Sequence, residues 1–498
     1  MKKILSLLAA FGVMFYLSSC SDDDDPAVDN GVTIEGIPAT AAIDNLGTLG
    51  PVTATVSGAD GLVSLVVTKG TTELETVALS GTTASYDFTY TAVAEDEDSN
   101  VVFTFTATDI DGDVATVTHV LTVGAAQTTF SVTENITEDA TWTTGNVYVL
   151  ETRVAVESGA TLTIEEGVVI KGAAGTGANA TALLVARGAT LNAVGTATAP
   201  IIFTSVADDI EPGQIVSPNL TDDVNGLWGG LIVLGNARIS ADNESEQIEG
   251  IPASDANGLY GGTDDMDNSG TISYVSVRHG GANIGEGNEI NGITLGGVGS
   301  GTTIDHVEVV GNQDDGIEWF GGTVSVSDAL VWSTGDDAID TDQAWAGTLD
   351  NFIVINAGDE AFELDGPEGS YTGAGHTLSN GSIKVAGASG MIDFDDNTDV
   401  DMSNIYFFDL DESQDIEGYS GYSANMNGFG IMNFESTLPF TLDGDGDRTS
   451  STTTLDVVFV DGSDAVVTEV AMGANTVGAT VSDFAFTLAS QTGALDDF

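Results

Sequence analysis

A four-residue segment with an apolar third residue and an acidic fourth residue recurs five times between residues 315 and 417. The copies are Asp315-Gly-Ile-Glu318, Asp337-Ala-Ile-Asp340, Glu360-Ala-Phe-Glu363, Gly390-Met-Ile-Asp393 and Gln414-Asp-Ile-Glu417. Successive copies begin 22, 23, 30 and 24 residues apart. A second short apolar segment precedes each copy, at residues 307–310, 329–332, 352–355, 383–385 and 405–408. Short strands at this spacing, with no helices between them, predict a parallel β-helix in an all-β protein.

Similar apolar segments of three to five residues, separated by glycine, begin at about residue 129. We therefore assign residues 129–498 to the β-helix. We expect a right-handed coil, because crossovers between parallel strands are overwhelmingly right-handed. Residues 455–460 and 481–486 are predicted to form further strands. Residues 492–498 are expected to cap the open end of the helix, where strand edges would otherwise be unpaired.

Residues 31–125 show a different pattern, in which apolar and polar residues alternate within short segments. About seven strands separated by turn residues predict an immunoglobulin-like β-sandwich, which we expect to act as a stalk. The stretch Asp109-Ile-Asp-Gly-Asp113 resembles the last hairpin of bacterial immunoglobulin-like or cadherin-like modules. Its acids predict either an Asp-rich turn or a calcium ligand set.

The N-terminus has the pattern of a secretion signal, with two lysines followed by residues 4–17, which are apolar apart from Ser6. Leu17-Ser-Ser-Cys20 resembles the bacterial lipobox, in which cleavage before the cysteine leaves a thiol that carries a lipid. Residues 1–19 are therefore the predicted signal peptide, and Cys20, the only cysteine, is the predicted lipidation site. Residues 20–30 form an acidic tether. Its four aspartates resemble the export signal of Bacteroidota lipoproteins, which implies the outer face of the outer membrane.

The composition excludes some classes of partner. The chain has 77 acidic and 10 basic residues and a formal net charge of −67. Nucleic acid is excluded as a partner, because phosphate contacts require lysine and arginine. An anionic polysaccharide would need bridging metal ions. With a single cysteine in 498 residues, the chain has no disulfide framework.

The repeat places acidic side chains in a column. Side chains alternate across a strand, so an inward Ile317 directs Glu318 outward, and successive coils stack about 4.8 Å apart. The column is either a solvated acidic face or a place where calcium, which accepts six to eight oxygens, binds between coils. The candidate ligands are Glu318, Asp337, Asp340, Glu363 and Asp393, together with Asp443, Asp445 and Asp447 in a glycine-spaced loop. A second loop, Asp264-Asp-Met-Asp-Asn-Ser-Gly270, is either a metal loop or a polar turn.

Three aromatic residues adjoin the acids. Trp319, Phe320 and Trp345 follow acidic positions at strand ends or turns. Exposed rings there could stack on the faces of sugar rings. The alternative is that these side chains belong to the hydrophobic core.

Several longer stretches resemble a known family. They are Val156-Glu-Ser-Gly-Ala-Thr-Leu-Thr-Ile-Glu165, Trp228-Gly-Gly-Leu-Ile-Val-Leu-Gly-Asn236, Asp267-Asn-Ser-Gly-Thr-Ile-Ser-Tyr-Val275 and Asp314-Asp-Gly-Ile-Glu-Trp-Phe-Gly-Gly322. Together they resemble a family of bacterial surface β-helix proteins, found in Bacteroidota and related groups, within the pectate-lyase-like group. The resemblance implies a right-handed parallel β-helix outside the cell, and it implies no particular reaction.

Two kinds of enzyme share this fold. Polysaccharide lyases use calcium and a basic residue, and Arg278-His279 is the one adjacent basic pair in the predicted β-helix. By strand alternation Arg278 is expected to face outward. Polygalacturonase-type hydrolases use paired acids, which Asp336 and Asp337 resemble, but their Arg-x-Lys motif is absent here.

We therefore expect a lipid-anchored surface protein whose β-helix binds glycan or another surface, with calcium assisting. A structural or adhesive surface protein is the first alternative. A polysaccharide lyase or glycoside hydrolase is the second.

Overall fold

The computed structural model describes residues 31–43, 47–124, 128–283, 290–395, 397–410, 414, 416–418, 432–435, 467–470 and 474–498. The chain divides into two compact units, residues 1–127 and 128–498. Cys20, the signal and tether, the loop with Asp443, Asp445 and Asp447, and the predicted strand at 455–460 lie outside the described residues. Within the described part of the chain, no helix is long and apolar enough to cross a bilayer.

The first unit contains eight strands. They are β1 (Thr33–Glu35), β2 (Thr40–Ile43), β3 (Thr48–Ser57), β4 (Leu62–Lys69), β5 (Thr72–Ala78), β6 (Thr83–Thr91), β7 (Ser99–Asp109) and β8 (Val114–Val123), with a 3-10 turn at Ala94–Asp96. Two sheets, ordered β1-β3-β6 and β2-β8-β7-β4-β5, contribute side chains to one core. Phe88 packs edge-on against Phe103 and Phe105 at its centre. The unit is thus a β-sandwich, and its kinship to immunoglobulin-like modules stays a prediction.

The acidic stretch between β7 and β8 is a turn. One carboxylate oxygen of Asp109 accepts hydrogen bonds from the backbone N–H groups of Asp111 and Asp113, at 3.1 and 2.8 Å. A side chain that bonds the backbone two residues on in this way closes an Asx turn. The turn therefore accounts for the aspartate at position 109.

The second unit is built almost entirely from short strands. They are β9 (Thr129–Val132), β10 (Ala140–Trp142), β11 (Val147–Leu150), β12 (Val154–Val156), β13 (Thr161–Ile164), β14 (Val169–Gly172), β15 (Leu183–Val185), β16 (Thr190–Val194), β17 (Ile201–Ser205), β18 (Leu231–Leu234), β19 (Glu246–Gln247), β20 (Leu259–Tyr260), β21 (Gly270–Arg278), β22 (Ile293–Gly296), β23 (Thr303–Val310), β24 (Ile317–Phe320), β25 (Val326–Trp332), β26 (Ile339–Asp342), β27 (Thr348–Ile355), β28 (Phe362–Leu364), β29 (His376–Lys384), β30 (Ile392–Phe394), β31 (Val400–Ser403), β32 (Tyr406–Phe408), β33 (Ile416–Glu417), β34 (Met432–Glu435) and β35 (Val467–Val470). Helical segments are the 3-10 turns Gly177–Asn179, Ala256–Gly258 and Val481–Phe484 and the short helix α1 (Leu488–Thr492).

Two long parallel sheets run through this unit. Among the described residues, nine strands pair in the order β12-β15-β18-β22-β24-β26-β28-β30-β33, and sixteen strands form the second sheet. Each strand pairs with its equivalent one coil later, as β24 does with β26. The unit is a right-handed parallel β-helix, as the repeat predicted.

Six successive coils of the sixteen-stranded sheet each have one residue in the left-handed conformation at the same register. These residues have a positive φ of 52–60°, and they are Tyr274, His306, Asp328, Asn351, Asn380 and Asn404. Asparagine and aspartate tolerate this left-handed conformation better than most residues. At this position Asp328 accepts a hydrogen bond from the Asn351 amide of the next coil.

The interior of the coil is filled by columns of apolar side chains. Ile317, Ile339, Phe362, Ile392 and Ile416, the predicted inward residues, all belong to one core cluster. Burying each such side chain contributes about 1.5–3 kcal/mol, which makes the repeated apolar position the main determinant of register.

The outer sides of the sheets are also covered in places. Ile248, Ile251 and Tyr260, from the long segment between β18 and β21, pack with Phe320 on the outer face of the nine-stranded sheet. The C-terminal residues Phe484 and Leu488 pack against β23, β25 and β27 of the other sheet. The prediction of a strand at 481–486 is wrong, because Val481–Phe484 form a 3-10 turn. Phe498, expected in a cap at the helix end, contacts this lateral cluster and the Phe408 ring.

Candidate functional site

The predicted column of carboxylates exists. Glu318 pairs with Asp340, Asp340 with Glu363, Glu363 with Asp393, and Asp393 with Glu417 across successive strands. One further coil precedes them, in which Thr294 pairs with Glu318. The register read from the sequence is therefore confirmed through five coils.

The environment of the column changes along its length. Glu318 and Asp340 are only 6% and 8% exposed, Glu363 and Asp393 are half-buried, and Glu417 is exposed. The interpretation of the column as a solvated acidic face is therefore wrong for Glu318 and Asp340. Strand alternation directs them away from the interior, but the segment that carries Ile248, Ile251 and Tyr260 covers this part of the outer face.

Three buried carboxylates converge where this cover begins. Asp315, in the turn before β24, joins Glu318 and Asp340, and one oxygen from each lies within 4.8 Å of the others. Burial, followed by the charges of neighbouring carboxylates, raises the pKa of all three groups well above the ordinary value. We name these residues the carboxylate triad.

A buried amide adjoins the triad. Asn291, 1% exposed, donates a hydrogen bond from Nδ2 to Glu318, while its Oδ1 is buried and has no hydrogen-bond partner among the described residues. The segment Asn291-Gly-Ile-Thr294 has the same pattern as Asp315-Gly-Ile-Glu318, with amide and hydroxyl in place of acids. The shared Gly-Ile pair could have revealed this coil. A repeat defined by an acidic fourth residue leaves it out, because threonine stands there.

The oxygens of this group suit a hard cation. Three carboxylates and one amide supply oxygen ligands only, which is the ligand type that calcium prefers. Of the predicted metal ligands, Glu318 and Asp340 are in the triad. Glu363 and Asp393 lie one and two coils beyond Asp340. Asp315 was not among the predicted ligands. It lies in the turn before β24, and strand alternation places only the residues within a strand.

The predicted acid pair Asp336 and Asp337 is divided between two environments. Asp337 is 4% exposed and accepts a hydrogen bond from the Glu360 backbone N–H at 2.6 Å, and its own N–H bonds Asp315 at 2.9 Å. Burial and a hydrogen bond with Glu363 raise the pKa of Asp337 to about 11. Asp336 is exposed. Asp337 thus joins adjacent turns, as Asp315 does one coil earlier.

The predicted exposure of the basic pair, Arg278 and His279, is wrong. Arg278 and His279 are both 0% exposed. Arg278 donates to the Ile215 carbonyl at 2.6 Å and lies 3.5 Å from the Glu308 carboxylate, while the His279 ring bonds the Val224 carbonyl at 2.7 Å. The insertion between β17 and β18 supplies both carbonyls and covers this side of the sheet. Neither side chain can reach a substrate outside the fold.

The three aromatic candidates are also buried. Trp319 and Trp345 are 0% and 1% exposed, and their rings stack inside the coil with centroids 4.6 Å apart. His376 extends the stack at 5.1 Å from Trp345. Phe320 is 7% exposed and meets the edge of Tyr260. The prediction of exposed stacking rings is therefore wrong, because Trp319 points to the interior and Phe320 is covered.

The loop from Asp264 to Gly270 is a polar turn in this structure. Asp265 forms an ion pair with Arg238, and Asp264 accepts a hydrogen bond from the Met266 backbone N–H at 3.1 Å. Asp267 accepts a hydrogen bond from the Asn236 amide at 2.9 Å. The turn interpretation accounts for these acids.

A cleft of about 620 Å³ lies on the outer face of the nine-stranded sheet. It is lined by Ala241, Asp242, Glu246, Gln247, Glu249, Tyr260, Phe320, Asp342, Gln343 and Glu368. Five of these residues are acidic and none is basic. The Tyr260 hydroxyl donates to Gln343 Oε1 at 2.9 Å, which orders the inner wall. Most of the lining comes from insertions that interrupt the repeat, so the repeat pattern could not reveal it.

One carboxylate in the cleft has a shifted pKa. Burial raises the pKa of Asp342 to about 8, and the charges of Glu368, Asp365, Glu363 and Glu249 add to the shift. A protonated acid beside ionised acids can donate a hydrogen bond to a bound oxygen as well as accept one. The cleft therefore offers both kinds of hydrogen-bonding partner to hydroxyl groups.

A family model described as the pectate-lyase like beta helix domain matches residues 134–437. The chain belongs to this family. Among solved structures, the pectate-lyase-like β-helix of this chain matches the catalytic unit of a thermostable GH87 alpha-1,3-glucanase from Streptomyces thermodiastaticus strain HF3-3. That match has 12% sequence identity and a TM-score of 0.26, and it covers 90% of this chain and 95% of the other. No curated protein matches the chain.

Proposed function

We propose that the chain is a lipid-anchored surface protein that binds carbohydrate in the acidic cleft of its β-helix. The cleft itself carries the proposal. It is large enough for several sugar residues, and its walls present carboxylate and amide oxygens from residues such as Asp242, Gln247 and Glu249. Concave sites with a few convergent polar groups are the usual places where small ligands bind.

The charge of the cleft selects among carbohydrates. Five acidic residues and no basic residue line it, in a chain with a net charge of −67. Like charges repel a polyuronate such as pectate, although the family is described by its likeness to pectate lyase. Neutral sugars and amino sugars meet no such repulsion. We therefore propose a neutral or amino-sugar polymer as the ligand.

The residues predicted as weak catalytic candidates are buried, apart from Asp336, which supports binding without cleavage. Arg278 and His279 are inside the fold, and Asp337 bonds the backbone of the next turn. Glycoside hydrolysis is the second candidate, because Asp342 combines a pKa of about 8 with ionisable neighbours in an open cleft. A protonated and an ionised carboxyl group are the pair that hydrolysis requires.

Affinity chromatography and calorimetry on the mature full-length chain test the proposal. The probes are a soluble glucosamine oligomer, a neutral glucan oligomer and polygalacturonate. We expect retention of at least one of the first two, and no retention of polygalacturonate. Changing Glu249→Gln and Glu368→Gln together should weaken the binding at least tenfold, since both side chains line the cleft.

The matched control changes Glu134→Gln and Glu138→Gln, two exposed acids in the first coil that do not line the cleft. This control should bind as the unchanged chain does. Equal weakening in both pairs would reject the cleft as the site. Release of new reducing ends, lost in Asp342→Asn, would establish hydrolysis instead of binding.

The proposed anchor has a separate test. A Cys20→Ala chain expressed in a Gram-negative host should leave the membrane fraction, and the unchanged chain should be cleaved by protease added to whole cells. Persistent membrane association of the variant would reject lipidation at Cys20.

A further inference from the structure

We propose that the carboxylate triad of Asp315, Glu318 and Asp340, together with Asn291, is a calcium site inside the β-helix wall. This site is distinct from the cleft and independent of carbohydrate binding. Its ligands come from three successive coils: Asn291 precedes β22, Asp315 and Glu318 lie before and on β24, and Asp340 lies on β26. A bound ion would therefore cross-link adjacent coils.

The triad concentrates negative charge inside the fold. Asp315, Glu318 and Asp340 are each at least 92% buried, and the charges that act on them are those of other carboxylates. Ionised groups in such a place are very unfavourable without a counter-charge. A divalent cation supplies that charge at the centre of the group.

Geometry supports a single ion. Calcium binds oxygen at 2.3–2.6 Å, so ligands on opposite sides of one ion lie about 4.6–5.2 Å apart. One oxygen of each triad residue lies within 4.8 Å of the other two, so one calcium ion can contact all three. Three carboxylates, some of them bidentate, approach the six to eight oxygens that calcium takes.

The buried amide is a second and independent indication of a ligand. Asn291 Nδ2 is bonded to Glu318, so Oδ1 of the same amide is held within a few ångströms of the triad. Oδ1 is buried without a hydrogen-bond partner among the described residues, which is unfavourable for a carbonyl oxygen. A half-turn of the amide would exchange Nδ2 and Oδ1 and direct Oδ1 at a bound ion. Protons shared among the three carboxyl groups of the triad would not give Asn291 Oδ1 a hydrogen-bond partner.

The ligand set favours calcium over other divalent ions. Magnesium requires near-octahedral ligands at 2.0–2.1 Å and keeps several waters, which a buried set of four side chains does not favour. Zinc prefers histidine and cysteine, and none of the four residues is either.

The test uses the mature full-length chain, stripped of metal and titrated with calcium chloride in about 0.5 M sodium chloride. The salt screens weak association with the exposed acids, since its Debye length is only a few ångströms. We expect a saturable site and a rise in Tm of about 3 °C at a free calcium concentration of about 100 times Kd. Magnesium at the same concentration should give a much smaller shift.

Variants separate the triad from the rest of the column. Asp340→Asn keeps the side-chain size and removes one charge, and it should lower calcium affinity at least tenfold. Asp393→Asn is the matched control, with the same change in the same column two coils away. It should keep the calcium shift of the unchanged chain.

Asn291→Ala provides a second variant in case Asp340→Asn does not fold. It removes only the neutral ligand, and it should weaken calcium binding while leaving the circular dichroism spectrum unchanged. An equal calcium shift in the unchanged chain, Asp340→Asn and Asn291→Ala would overturn the proposal, as would the absence of any saturable binding. Glycan binding measured on the same samples reports on the cleft separately.

Discussion

Glu318 and Asp340 occupy equivalent positions on adjacent coils of the β-helix, and each is buried beside the other. Like charges directly opposed on neighbouring strands destabilise a sheet, and burial strengthens the effect. Burial raises the pKa of both groups, and the charges of neighbouring carboxylates, Asp315 among them, add to the shift. The pair is therefore stable only when protonated or when a cation lies between the side chains.

The first prediction concerns this pair without metal. Glu318→Gln removes one of the two charges and keeps an oxygen that can accept from the Asn291 amide. In EDTA at pH 8 we expect the variant to have a higher Tm than the unchanged chain. In saturating calcium the order should reverse. A lower Tm for the variant in EDTA would contradict this account of the pair.

A second prediction concerns pH and His376. Burial lowers the pKa of His376 from 6.5 to about 3. Between these values the unfolded chain binds a proton that the folded chain does not, so this contribution to stability is lost as pH falls below about 6.5. From pH 7 to pH 5 the loss attributable to this residue should be about 2 kcal/mol.

Urea unfolding at both pH values measures this loss as the difference between the unchanged chain and His376→Phe. The phenyl ring can keep the stack on Trp345 and does not titrate. The variant should lose less free energy of unfolding on acidification than the unchanged chain. Parallel pH profiles for the two chains would contradict the prediction.

A third prediction concerns the buried ion pair. Arg278→Met leaves Glu308 buried without its positive partner, and we expect a loss of about 3–5 kcal/mol in the free energy of unfolding. Adding Glu308→Gln should recover part of the loss. Arg238→Met breaks an ion pair whose arginine is half exposed, and it should lower the free energy of unfolding far less than Arg278→Met does. Equal losses for Arg238 and Arg278 in urea unfolding would reject the structural role of the buried pair.

The fourth prediction concerns the C-terminal segment. Phe484 is fully buried against β23, β25 and β27, and the Ala489 backbone N–H bonds Glu308 at 3.1 Å. Phe484→Ala should cost about 3–5 kcal/mol and make the C-terminal segment sensitive to protease. Val206→Ala, at a 44% exposed position, should change stability by less than about 0.5 kcal/mol. Unchanged protease resistance in Phe484→Ala would contradict the lateral docking.

The fifth prediction concerns Gly316, which lies between Asp315 and the start of β24. A Cβ at this position would lie 2.3 Å from Val331 Cγ1 and 2.5 Å from the Ala338 carbonyl oxygen. Gly316→Ala should therefore cost about 1–3 kcal/mol, although alanine occupies the equivalent position 361 two coils later. Thermal unfolding monitored by circular dichroism measures the cost. Ala361→Gly, the reverse change there, should cost about 1 kcal/mol or less.

The repeat alone determined the fold and the register of the second unit. One apolar residue at a fixed position in each coil must face the interior, and a slip by one residue would expose it. For this reason the pairing of Glu318 with Asp340, and of Asp340 with Glu363, was readable from the sequence. The all-β character and the sandwich architecture of the first unit followed from alternation in the same way.

Only the tertiary structure decided which outward residues meet solvent. Alternation states which side of a strand a side chain takes, and it correctly directs Glu318 away from Ile317. It does not state what lies on that side. The insertion between β17 and β18 covers Arg278. A different insertion, between β18 and β21, covers Phe320 and Glu318 and lines the cleft beside Tyr260. Their packing depends on contacts between residues far apart in the chain, which no local pattern encodes.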